Sequence, residues 1–155
     1  MAAVVSAGIN GMDLGEALNL GQQIAQQAES HGHWVAGGRI ASRISWARTI
    51  SVDSDKAFLA DLMYDVIGTS VASQESVVVS FALAQQVAVG EMNAFEALCM
   101  AASLGGDTDT IAAILGAMLG ACLGLGSWPV AMIEQVKTVN DLELEPLVKG
   151  LLALR

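Results

Sequence analysis

The sequence predicts an all-α fold on three observations. Apolar residues recur at helical rather than alternating spacing through nearly every segment. Asp13-Leu14-Gly15-Glu16 and Asn93-Ala94-Phe95-Glu96 both carry the spacing of a capping box, in which two side chains satisfy free N–H groups at a helix start. Glycines or prolines stand where the helical patterns stop, so the connections are short.

Ala2-Ala3-Val4-Val5 reads like the middle of a buried helix. Asp13 caps the next helix, whose apolar face is Ala17, Leu18, Gly21, Ile24, Ala25 and Ala28, and which stops near residues 30–32. A second helix is expected over residues 35–47, with Arg39, Arg43 and Arg48 on a polar, solvated side. Asp53 or Ser54 starts another, with Phe58, Leu59, Leu62, Met63 and Val66 facing the core and Gly68 ending it. After the loop Gly68-Thr69-Ser70-Val71-Ala72, Ser73 caps a helix to about Val89, with Val77, Phe81, Ala84 and Ala88 on one face. The helix from Asn93 carries Ala97, Leu98, Met100 and Ala101 and ends at Gly105-Gly106. The strongest helical pattern covers residues 110–123. Pro129 begins a further helix with Met132, Ile133 and Val136, and Asn140 or Asp141 caps a last segment ending in Leu151, Leu152 and Leu154. No repeat or interdomain linker interrupts the series, so residues 1–155 read as one all-helical unit.

Composition narrows the function. Hydrophobic residues make up 54% of the chain and charged residues only 15%, against about 25% charged in ordinary soluble domains. Mean hydropathy is +0.53. Apolar surface is therefore expected to meet a partner, a further segment, another copy of the chain, or a membrane. The formal charge of −9, with no Lys/Arg cluster beyond Arg39, Arg43 and Arg48, argues against nucleic acid and against an anionic membrane surface. No charged residue occurs between Thr110 and Ile133, and Gly116, Gly120 and Gly124 share a helix face, so a transmembrane helix competes. The apolar run is short for a bilayer, however, and close core packing explains the glycines more simply. Cys99 and Cys122 suit two buried thiols in a reducing compartment, and the lack of a signal sequence points to the cytoplasm. His31 and His33 have no cysteine or acid nearby and make a poor zinc signal. Trp34, Trp46, Trp128, Phe58, Phe81 and Phe95 are expected in the core or a buried interface.

Asp107 and Asp109 are the most informative side chains. They follow Gly105-Gly106 and open an apolar helix, where unpaired N–H groups and the helix dipole favour anions. In one reading, Asp107 or Thr108 is a simple cap and Asp109 an ordinary first-turn acid. In the other, Asp107, Asp109 and Thr110 offer oxygen to a hard cation such as Mg²⁺ or Mn²⁺. Three such groups leave an octahedral shell unfilled, and no second acidic cluster in the chain complements them.

The string Gly105-Gly106-Asp107-Thr108-Asp109-Thr110-Ile111-Ala112-Ala113, followed by Gly116, Ala117, Gly120 and Ala121, resembles the C-terminal signature of the ADP-ribosylglycohydrolase family. That resemblance implies an all-helical hydrolase with a two-ion Mg²⁺ or Mn²⁺ centre, acting on ADP-ribosylated protein side chains or related ADP-ribose compounds. Asp107, Asp109 and Thr110 would be metal ligands. Residues 68–77 resemble the family's substrate loop and following helix, which assigns Gly68, Ser70 and Val71 to ligand binding, with Ser70 where many members have Gly. Family members also carry an N-terminal Thr with consecutive Asp residues and an upstream Glu, none of which is present here. The chain would then be the C-terminal portion of a hydrolase domain, with no catalytic side chain of its own and a missing N-terminal half or companion chain supplying the rest. A non-catalytic helical domain for binding or assembly is the alternative.

Overall fold

The computed structural model describes residues 1–34, 36–52 and 54–154. Val35 and Asp53, expected at two helix starts, lie outside the described residues. Among the described residues the chain is all-α with no strand. Its helices are α1 (Ala2–Ile9), α2 (Leu14–Gln27), α3 (Ile40–Ser51), α4 (Lys56–Asp61), α5 (Ser73–Ala88), α6 (Ala94–Ser103), α7 (Thr108–Leu123), α8 (Val130–Asn140) and α9 (Leu144–Leu152). Short 3₁₀ turns occupy Ala28–His31 and Leu125–Ser127, and a π-helical turn, Leu62–Ile67, continues α4.

The core is built around α5, which packs against α2, α3, α6 and α7. The single apolar face expected for this helix is incorrect, because every residue from Val78 to Ala84 is buried. A helix enclosed on several sides shows no strong amphipathic pattern. Two of its buried polar residues, Ser80 and Gln86, fasten it to its neighbours. The Ser80 hydroxyl contacts Ser76 O at 2.8 Å and Ile111 O at 3.2 Å, and Gln86 donates to Ser51 O at 2.6 Å. These contacts avoid the cost of an unsatisfied polar group in the interior.

Capping chemistry was legible. Asp13 accepts from Gly15 N at 2.9 Å, and Asn93 and Glu96 complete their reciprocal box; α4, however, is capped by Asp55 through Phe58 N at 2.8 Å and not by Ser54. Boundaries moved elsewhere. α3 begins at Ile40 rather than residue 35, α5 is preceded by Ala72 rather than capped by Ser73, and α9 follows Glu143. Ile24 and Ala28 of the expected α2 face are exposed. In the third helical segment Leu59, Leu62 and Met63 are buried as expected, whereas Phe58 and Val66 point outward and Ile67 is buried. The π turn explains the change near its end: Gly68 N donates to Met63 O, five residues back, at 3.0 Å. The wider turn moves the inward position from Val66 to Ile67.

On α7 the buried residues are Ile111, Leu115, Met118 and Leu119. The glycine stripe does not serve close packing: Gly116 has only Leu98 Cδ1 at 3.6 Å from an added Cβ, and Gly120 and Gly124 have nothing within 4 Å. The tight approach lies at Gly8, where a Cβ would stand 2.8 Å from the backbone of Ala121 and Cys122, so α1 and α7 nearly touch. Two further expectations hold only in part. Phe81 is fully buried, but Phe95 and Trp128 are half-buried, and Trp34, Trp46 and Phe58 are exposed. Cys99 is exposed and Cys122 only partly buried, with burial pushing the Cys122 thiol up.

The helices α8 and α9 contain no buried residue, although Leu144, Leu147, Val148, Leu151 and Leu152 recur at helical spacing along α9. Much of the apolar excess seen in the composition is therefore on the outside. Among the described residues no helix is long and apolar enough to cross a membrane.

Candidate metal and ligand site

Gly105 and Gly106 adopt φ of +87° and +74°, a region open to glycine at little cost, and turn the chain from α6 into α7. Asp107 stands at the N-cap position, yet its side chain makes no capping hydrogen bond. The simple-cap reading of this carboxylate therefore fails. The backbone N–H of Asp107 is directed elsewhere, donating to Thr69 O at 2.7 Å. A Cβ on Gly106 would lie 2.4 Å from both Thr69 O and Thr69 Oγ1. The acidic turn and the 68–72 loop, far apart in sequence, are thus joined where there is no room for a side chain.

Asp107 and Thr110 are half-buried and Asp109 is exposed. A side-chain hydrogen bond with Asp107, followed by the backbone N–H groups of Thr110 and of Asp109 itself, holds the Asp109 carboxyl below the usual carboxylate range. Asp107 and Asp109 lie two residues apart at the start of α7. Among the described residues neither carboxylate enters an ion pair. Two ionised carboxylates in contact repel unless a proton or cation lies between them. The donor set, two carboxylates and one hydroxyl, is of the type a hard cation takes. It is also incomplete: among the described residues no three His, Cys, Asp or Glu side chains converge as a metal group.

The neighbouring loop begins at Gly68, with φ +90°. Gly68 is half-buried, Thr69 is buried, and Ser70 and Val71 are exposed at the tip. A Cβ on Gly68 would fall 2.4 Å from Glu75 Oε2, so the missing side chain lets that carboxylate fold back against the loop. Glu75 Oε2 accepts from Ser70 N at 2.8 Å. The Ser70 backbone N–H, then the Ser70 hydroxyl, hold the Glu75 carboxyl below its ordinary range, and the Arg43 charge adds to this.

The depressed pKa gives this contact a pH dependence. The stabilisation is present above the ordinary glutamate pKa and is lost as pH falls through the lower folded value. Protection of the Ser70 amide, corrected for intrinsic exchange, is expected to hold at neutral pH and drop in that acid window. Protection that stays flat across the window would show that the carboxylate does not hold the loop.

Sequence reasoning singled out Asp107, Asp109, Thr110, Gly68, Ser70 and Val71 as candidates, and the structure brings both groups to one region through Thr69 and Asp107. It missed the roles of Thr69, Arg43 and Glu75. Arg43 and Arg48 are not a solvated face. Arg43 is half-buried and donates to Gln74 O and Ile67 O at 2.8 and 2.7 Å, while Arg48 joins Gln85, Gln22 and Asn19. Arg39 remains exposed, paired with Glu29 at 3.7 Å. Nothing in the sequence pairs Arg43 with carbonyls 24 and 31 residues away. The clash at Gly106 is the physical sign of Thr69, and it appears only in three dimensions.

The family model described as ADP-ribosylglycohydrolase matches residues 1–155. The match thus covers the chain from end to end. A curated protein of Escherichia coli (strain K12), "Uncharacterized protein YegU", is 29% identical over 156 aligned residues. That alignment takes in 100% of this chain and 46% of the relative, so the chain spans less than half of that protein's length. No solved structure matches the chain.

Proposed function

The chain belongs to the ADP-ribosylglycohydrolase family, and from that footing we propose that it supplies one part of a site for hydrolysing ADP-ribosyl linkages. The substrate would be an ADP-ribosylated protein side chain or a related ADP-ribose compound. Asp107, Asp109 and Thr110 would hold Mg²⁺ or Mn²⁺, and Gly68, Ser70 and Val71 would approach the ADP-ribose. The observation that carries this reading is the Asp107 N–H to Thr69 O bond, which sets the acidic turn against the loop. A divalent ion there would supply Lewis-acid polarisation of oxygen. The chain's own residues gather the carboxylates, hold the loop and leave Ser70 and Val71 open to a ligand.

The donor set covers only part of a two-ion shell, so the remaining ligands would come from a further N-terminal segment or a companion chain. The exposed apolar faces of α8 and α9 support such an association, or a homo-oligomer. The 15% charged composition supports it too. Nothing in the charge pattern favours nucleic acid, and we place the site's work in the cytoplasm. The alternative, a non-catalytic helical binding or assembly domain, is favoured by one observation: no three metal-binding side chains converge among the described residues.

Paramagnetic Mn²⁺ separates the two. On the enzyme reading, Mn²⁺ selectively broadens the amide signals of Asp107, Asp109 and Thr110, ADP-ribose shifts those of Ser70 and Val71, and the isolated chain shows no turnover. Unmoved signals at millimolar Mn²⁺ in the assembled protein would leave the binding-domain reading. Turnover by the pure isolated chain would overturn the claim that its site is partial.

A further inference from the structure

A loop that contacts a ligand binds more tightly if its shape is set beforehand, because ordering it on binding costs free energy. The loop between α4 and α5 is held by a group that the metal site does not use. Arg43, reaching across from α3, donates through Nε to Gln74 O at 2.8 Å and through a terminal nitrogen to Ile67 O at 2.7 Å. One planar guanidinium thereby closes both ends of the loop. The rigid fork of an arginine can span two acceptors at once, which the single ammonium of lysine does less well. Inside that closure, Glu75 accepts from Ser70 N at 2.8 Å and Thr69 O accepts from Asp107 N at 2.7 Å. The stem is fixed at three places, whereas Val71 at the tip is 81% exposed. A fixed stem beneath an open tip suits a preformed contact surface better than a simple connection.

We propose that Arg43 is a positioning residue for ligand binding: by bridging Ile67 O and Gln74 O it sets the loop that offers Ser70 and Val71 to ADP-ribose beside Asp107. This rests on the function proposed above. Arg43 itself touches no ligand and acts through the loop backbone. Its removal should loosen the loop without dismantling the helices, because the core around α5 is held by other residues.

Amide hydrogen exchange of the full chain, without ligand, tests the positioning role directly. In Arg43→Gln, exchange at residues 68–75 and at the Asp107 amide is expected to rise about tenfold, the effect of losing roughly one charged hydrogen bond. Amides of α1, α2 and α7 should keep their protection. Arg43→Lys should fall between the two proteins. Glu75→Gln, which keeps an acceptor for Ser70 N–H but removes its charge, should lose part of the Ser70 protection, and Glu75→Ala should free the tip. ADP-ribose affinity should fall by a similar factor of about ten in Arg43→Gln, while Mn²⁺ affinity changes by less than about threefold. Unchanged exchange at residues 68–75, or an equal rise in every helix, would overturn the proposal. If the unmutated chain binds no ADP-ribose, the functional reading fails, and the exchange measurement still decides whether Arg43 holds the loop.

Discussion

Asp107→Asn is expected to lower Mn²⁺ affinity at the start of α7 by at least about 100-fold, the upper end of what losing even a supporting partner costs a metal site. Asparagine keeps the size and the carbonyl oxygen of the side chain but removes its charge. The fold has little reason to change. The Asp107 side chain makes no capping bond, and the contact with Thr69 uses the backbone N–H, which asparagine retains. Asparagine is also well suited to an N-cap position. Stability should therefore move by less than about 0.5 kcal/mol, as for surface changes away from structural contacts. Mn²⁺ titration beside a thermal melt checks both halves. An Asp107→Asn chain that binds Mn²⁺ like the original would remove the acidic turn from the proposed chemistry. A chain that loses its fold would show the carboxylate to be structural.

Gly106→Ala should have the largest effect on stability. Its φ is +74°, and its Cβ would stand 2.4 Å from a backbone oxygen that cannot rotate away. A left-handed conformation costs a non-glycine residue about 1–2 kcal/mol, and overpacking adds about 1–3 kcal/mol. The sum, about 2–5 kcal/mol, corresponds to a fall in Tm of roughly 5–15 °C for a chain of this size. The strain can also be relieved by breaking the Thr69–Asp107 bond, which would carry the loop away from the carboxylates. Gly120→Ala is the matched control. Gly120 is helical with nothing within 4 Å of the added carbon, so that change should be neutral or stabilising by up to about 1 kcal/mol. Melts of the two variants should separate clearly, and equal Tm values would contradict the close contact at Gly106.

Local chemistry was readable from the sequence, and through-space chemistry was not. Asp13, Asn93 and Glu96 announce helix starts because their partners lie within one turn. The glycine pair before Asp107 announces a tight turn for the same reason. Arg43 was misread because its acceptors are backbone carbonyls, and carbonyls carry no residue-specific signal. The glycines of α7 were misread because four-residue spacing suits a close helix crossing equally well whether or not a helix is there. Gly8, a lone glycine without such spacing, makes the close approach. The enclosed α5 was flattened to one face because its small residues Ser80 and Ala82, buried along with Val78, Val79 and Leu83 off that face, look neutral in a periodicity count.

The π turn at Leu62–Ile67 has a geometric consequence for everything downstream. Each residue of an α-helix advances the chain by about 100° around its axis. Deleting a single residue between Leu62 and Ile67, so that the turn relaxes to ordinary α geometry, would restore a uniform winding but leave Gly68 rotated about a quarter-turn from Thr69's present heading toward Asp107. The phase of the whole loop is set by one surplus residue in the turn that leads into it.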